Sequence, residues 1–315
     1  MEQLDSRRLK NSASESIAKA GFDPRKLVLF HTAVALALSL AVLAIDLVLE
    51  QQIGNTGGLS GVGMRSVLET VQTVLLQAQI IALPFWQIGW LYASLKIARG
   101  ATAEKKDLLE GFRQFFPQLR LLLLKGLIFA GLAFAGVYAG AFLATMLPSA
   151  GNIADLMNPG LTDEQWMNLF MQMMLPVMII GGVAALALCV PFFYRFRLAE
   201  YFMLEMPRLG ARVALRASRN LMRGRMWQMM RLDLSFWWFW LMTVVVSVLG
   251  WADVLLPWMG IELPWTAEMS YFIAYLLAAA AQLVLHYFCK AKVDAVYAHA
   301  YLALLPKEEK TNEFN

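Results

Sequence analysis

The chain has 315 residues, of which 59% are hydrophobic and 16% charged, with a net charge of +4. Soluble domains carry roughly 45–50% apolar and about 25% charged residues, so a water-soluble globule of this size would have too few charges to cover its apolar surface. Its two cysteines, Cys189 and Cys289, both lie inside apolar segments, so no disulfide framework is implied.

In chain order, residues 1–26 form a cytoplasmic leader. Leu9, Ala13 and Ile17 share one side of an amphipathic helix that breaks at Gly21. Asp23–Pro24 then caps the first span, because proline is tolerated in a helix's first turn. The first span is not a cleaved signal peptide, since a long polar stretch precedes it and its apolar run exceeds a signal core. Six apolar stretches follow, near 27–49, 67–95, 121–147, 175–194, 232–254 and 269–289. Each suffices to cross a hydrocarbon core of about 30 Å, which takes roughly 20 helical residues. Continuous apolar runs of this length satisfy their backbone in lipid only as helices, so a barrel is excluded. The reading is an all-α polytopic membrane protein, with a six-helix domain over 27–305 and a polar cytoplasmic tail over 306–315.

The connections carry their own patterns. Gly57, Gly58, Gly61 and Gly63 read as a flexible external turn. Over 104–119, Leu108, Leu109, Phe112, Phe115, Phe116 and Leu119 recur at helical spacing. Lys105, Lys106, Glu110 and Arg113 occupy the opposite face, which predicts a helix lying in the membrane interface. Pro117 marks the bend into the third span. On that span Ala133, Gly136, Gly140 and Ala144 form a small-residue face that lets another helix approach closely within the monomer. Thr162–Gln165 reads as a capping box that opens a short outer helix rich in methionine, from Met167 to Met178, leading into the fourth span. Arg212, Arg216, Arg219 and Arg223, spaced four, three and four apart, make one arginine face, and Gly224 closes that helix in a left-handed cap. Like charges at this spacing repel by a few tenths of a kcal/mol per pair. Something negative is therefore expected opposite them, with anionic lipid headgroups first and an acidic protein partner or phosphate-bearing ligand second. Trp237, Trp238 and Trp240 inside, with Trp251, Trp258 and Trp265 outside, read as an aromatic belt.

Orientation follows from charge. Of the 27 lysines and arginines, all but Arg65 fall in the leader, the second and fourth connections with their flanks, and the tail. Asp155, Asp163, Glu164, Asp253, Glu262 and Glu268 lie in the other connections. The positive-inside rule places both termini in the cytoplasm.

Two constellations invite a functional reading. On the second span Glu69, Gln72, Gln79 and Gln87 fall on or near one face, interrupted by Pro84. Such intramembrane polar groups line a wet path, or else bond to neighbouring helices. Asp46 is expected at the outer interface, paired with Arg65. His286 and Cys289 match no strong zinc spacing, and the phosphate-loop, metalloprotease and nucleophile-elbow motifs are missing. The expectation is no catalytic, cofactor or metal site. Because the basic stretches flank spans, lipid rather than nucleic acid accounts for them.

The run from Ala214 to Gly224, followed by Arg231–Leu232–Asp233–Leu234–Ser235–Phe236–Trp237–Trp238, resembles the signature of a bacterial integral membrane family known as domain of unknown function nine-seven-five. Asp107 to Phe115 is similar to that family's middle motif, and the leader around Leu9–Lys10 to its start. The resemblance implies the fold and a bacterial cytoplasmic (inner) membrane, and it carries no activity. Two readings of function stand: a non-catalytic membrane component, such as a scaffold, assembly factor or complex subunit, or a small-solute transporter using the second-span stripe.

Overall fold

The computed structural model describes residues 5–20, 23–55, 59–146, 162–259, 261 and 267–305. Among them all regular structure is helical. α1 spans Ser6–Lys19, α2 Pro24–Asn55 and α3 Leu59–Ala98. A 3-10 turn, Lys105–Leu109, leads into α4 (Glu110–Arg113) and α5 (Phe115–Thr145). α6 (Asp163–Phe196) is followed by α7 (Ala199–Glu205) and α8 (Ala211–Met222). α9 (Met226–Leu234), α10 (Trp237–Leu249), α11 (Ala252–Trp258) and α12 (Ala267–Leu285) follow, then a π-helical turn at His286–Lys290 and α13 (Ala291–Leu304).

Among the described residues five helices are long and apolar enough to cross a membrane, or six if the bent pair α9–α10 is one span. At 1.5 Å per residue α2 and α3 run about 48 and 60 Å, well beyond a hydrocarbon core. Capping explains several ends. The Asp5 carboxylate accepts from the Arg7 N–H at 3.0 Å, and Asp23 accepts from Arg25 at 3.0 Å ahead of Pro24. α3 stops in a Schellman motif: Gly100 has φ 76°, and Ala101 N–H donates to the Lys96 carbonyl at 2.9 Å.

The chain divides into two compact units, one of residues 1–115 with 228–315 and the other of 116–227. In the first, α2 packs on α3, and α13 packs on both α1 and α3. Leu27, Val28, Trp90, Ala93, Ile97, Ala103, Leu108 and Ala291 form its core. That core lies where α2 begins and α3 ends. Toward the other end of α3, Val67, Val74, Ile80 and Ile81 are exposed, as apolar side chains facing lipid would be. In the second unit α5 and α6 pack closely, because Gly136 sits against the Ala185 backbone and Gly140 against Gly181. The small-residue face thus works within the chain, as its spacing suggests.

Five local expectations are corrected. Residues 104–119 are not one interfacial helix. The 3-10 turn and α4 instead dock on α3, with Leu108 fully buried and Gly89 and Gly111 permitting backbone contact. The Asp107 carboxylate holds this turn by accepting from Glu104 N–H at 2.7 Å and pairing with Lys96 at 2.8 Å. Pro117 lies in α5's first turn rather than at the bend, which falls at Gln114. The 232–254 segment is broken by a 64° bend between α9 and α10. Side chains satisfy the groups exposed there: Lys10 donates to the Ser235 carbonyl at 3.0 Å, and the Ser235 hydroxyl to the Leu232 carbonyl at 2.6 Å. The Thr162–Gln165 capping box is present, yet the helix it opens continues unbroken to Phe196, through Pro176 and Pro191. Gly61 and Gly63 belong to α3 rather than to a turn. Gly57, Gly58, the side chains of Asp46 and Arg65, and the tail 306–315 lie outside what is described.

Candidate functional site

The first unit carries a polar cluster near the start of α2. Lys290, on the π-helical turn, sits 3.0 Å from Asp294 Oδ2, and the two side chains are only 12% and 15% exposed. Trp90 Nε1 donates to the same oxygen at 2.6 Å. The π turn inserts one extra residue into a helix that otherwise runs from α12 to α13, a device common at functional sites. It also carries His286, whose Nδ1 lies 3.0 Å from Thr32 Oγ1. Next to Thr32, the His31 ring stacks on Trp86 at 5.4 Å and is 5% exposed. Neither His31 ring nitrogen has a protein hydrogen-bond partner, whereas its carbonyl accepts from Trp86 Nε1 at 2.9 Å.

The cluster continues toward α1. Ser16 Oγ lies 2.9 Å from His299 Nε2, and Tyr297 OH donates to Asp233 Oδ1 at 2.6 Å. Lys10 lies over the Phe236 ring at 4.4 Å. Burial, reinforced by the Lys292 charge, lowers the Lys10 pKa. Electrostatically the arrangement is self-neutralising. The Lys290–Asp294 pair carries no net charge, and the Trp90 N–H adds a bond that helps offset desolvation. Of these residues the sequence singles out His286 beside Cys289, and Lys10, Asp233 and Phe236 within the family-like runs. The legible signal was a cation and an acid four residues apart at the end of an apolar helix.

A cleft of about 610 Å³ lies among α2, α3, α10, α11 and α12. Leu36, Leu83 and Val246 make apolar wall, while Ser39, Ser247, Asp253, Tyr271, Tyr275 and Gln282 bring polar groups. Small-molecule sites run from about 300 to 1,000 Å³ with this kind of mixed lining.

The second-span stripe does not come together at the cleft. Glu69 is exposed, and Gln72, Gln79 and Gln87 are partly buried. Gln79 Nε2 donates to Ser39 Oγ at 2.7 Å, a helix–helix bond. None of the four lines the cleft; Gln79 reaches it only through Ser39.

The arginine face is likewise split. Arg212, Arg216, Arg219 and Arg223 are all exposed. Only Arg219 and Arg223 line a second cavity, of about 390 Å³, where Arg195 from the end of α6 joins them. Gly224 adopts φ 76°, the left-handed conformation expected after α8. Among the described residues no group of three or more His, Cys, Asp or Glu side chains is placed to hold a metal ion.

No curated protein and no solved structure matches the chain. Both cavities lie inside one sequence pattern, whereas Lys290, Asp294, Tyr297 and His299 lie beyond it: the model of the family described as Protein of unknown function (DUF975) matches residues 1–287, and the chain belongs to that family.

Proposed function

We propose that this protein is a non-catalytic component of a bacterial cytoplasmic membrane, a scaffold, assembly factor or complex subunit, crossing six times with both termini inside. The observation that supports it is how the polar groups among the spans are used. Gln79–Ser39, Thr32–His286, Trp90–Asp294–Lys290 and Lys96–Asp107 are closed pairs or triads that tie one helix or turn to another. Groups spent as struts are not held open for a passing solute or a reacting atom. Exposed apolar side chains on the α5–α6 hairpin, among them Leu127, Phe134, Met178 and Leu186, leave a face for lipid or for a membrane partner. The basic flanks support the orientation.

A second reading, a small-solute transporter or permease, is favoured by the 610 Å³ cleft. One experiment separates the two. The tagged chain is purified in mild detergent from its own host, and the same preparation is reconstituted in liposomes. A partner that co-purifies at fixed stoichiometry, together with solute-tight liposomes, supports the component. A lone chain that passes solute, and stops passing it when Ser39→Leu and Gln282→Leu fill the cleft, would replace that reading with the carrier.

A further inference from the structure

The cavity between α6 and α8 gathers three arginines from two helices. Arg195 lies in the last turn of α6, Arg219 in the last turn of α8, and Arg223 one turn further. Their meeting is built by Ser218, which is fully buried. Its hydroxyl donates to the Arg195 carbonyl at 2.8 Å and accepts from Leu198 N–H at 3.2 Å, fastening α8 to the end of α6. Buried Met222 supplies an apolar floor.

The charge there is unbalanced. Among the described residues no carboxylate forms an ion pair with Arg195, Arg219 or Arg223. A helix C-terminus offers only about half a negative charge. With the C-termini of α6 and α8 both present, three full positive charges therefore leave a surplus of roughly two, which capping the helix dipoles does not absorb. Orienting the chain in the membrane needs basic residues in this connection but not their convergence on a cavity.

We propose that this cavity binds a phosphate group, with Arg195, Arg219 and Arg223 as its ligands. Each guanidinium presents a planar fork that meets two phosphate oxygens at once. At about 390 Å³ the space is at the small end of ligand sites. The phosphate belongs to an anionic phospholipid headgroup or to a soluble phosphate, and the chemistry is common to both. Arg212 and Arg216, on the same helix but outside the cavity, are internal controls. The inference stands whether the protein is a scaffold or a carrier.

The test uses the full chain in detergent. Native mass spectrometry reads retention of phosphatidylglycerol against phosphatidylcholine, and titration calorimetry reads inorganic phosphate. Removing charged hydrogen bonds from a phosphate ligand set should weaken binding about tenfold or more in the Arg219→Gln, Arg223→Gln pair. The Arg212→Gln, Arg216→Gln pair removes the same charge and should cost less than about threefold, as expected for exposed, screened charges. Arg195→Gln alone should also weaken binding, although it lies on another helix. An Arg219→Lys, Arg223→Lys pair keeps the charge but loses the forks, so it should still bind poorly, and it supplies the reading if the glutamine pair fails to fold. Selective loss of phosphatidylglycerol identifies the headgroup, and loss of inorganic phosphate binding identifies a soluble ligand. Equal losses in the two glutamine pairs, or no binding of either probe by the unaltered chain, would overturn the proposal.

Discussion

Replacing Gly89 by alanine sets helix propensity against packing at one atom. In an unobstructed helix the change stabilises by about 0.5–1 kcal/mol. Gly126 and Gly131 of α5 provide that baseline, since no heavy atom would lie within 4 Å of a new Cβ at either. At Gly89 the new Cβ would sit 2.9 Å from Leu108 Cα and closer still to its carbonyl, whereas ordinary contact begins at 3.4 Å. The obstacle is backbone, which cannot rotate aside as a side chain would. The 3-10 turn would have to withdraw from α3, stretching the Lys96–Asp107 contact and opening Leu108. Overpacking against backbone should fall in the upper part of the usual range of about 1–3 kcal/mol, so after the propensity gain a net loss of about 1–2.5 kcal/mol is expected. Gly111→Ala should act alike from the other side, where its Cβ would meet the Phe85 backbone. The double variant should lose less than the sum, because both changes lift one interface. Dodecyl sulfate unfolding followed by tryptophan fluorescence measures these differences, with Trp86 and Trp90 in the core beside the turn. If Gly89→Ala proves as stable as Gly126→Ala, the turn does not seat on α3 and the account of residues 104–113 fails.

Three further outcomes are expected. His31→Phe keeps the stack on Trp86 and removes a buried ring with no protein partner, so unfolding stability should rise by about 1 kcal/mol; a comparable loss would mean that the ring nitrogens are bonded in the folded protein. Asp107→Asn strands Lys96 beside a neutral group and should destabilise by about 2–3 kcal/mol in the same assay, while adding Lys96→Met to Asp107→Asn, which keeps an acceptor for the Glu104 N–H, should recover most of it; a simply additive double variant would argue against the pairing. In a background with Cys189 and Cys289 replaced by serine, cysteines at Lys106 and Arg212, both exposed, should react with an impermeant thiol reagent only after permeabilisation, and one at Ile261 should react in intact cells. Labelling of Lys106→Cys from outside would invert the proposed orientation.

Particular residues show what is readable without coordinates. Span lengths and basic flanks are, because a hydrocarbon slab of fixed thickness and a fixed helical rise act on consecutive residues. Gly136 and Gly140 are readable as a close-packing face, although their partners, Ala185 and Gly181, are not. Leu108 and Phe112 sit at spacings that suit either an apolar groove or lipid. Only Gly89, in a different helix, tips that choice. The Glu69–Gln87 stripe follows from periodicity alone, while the bond that occupies Gln79 depends on Ser39, forty residues away.

Sequence by itself therefore determined the all-helical membrane architecture, the apolar helices and the asymmetry of charge, each a property of a segment and its solvent. Tertiary structure decided where the spans break, which polar groups are spent as struts and where ligands could sit. Thr32 and His286 are 254 positions apart, and Arg195 and Arg219 line one cavity where Ser218 bonds α8 to the end of α6. Hydrogen bonds and ion pairs act over a few ångströms, so a site assembled from distant segments leaves no period in the chain, and its members are identifiable only once packing has brought them together.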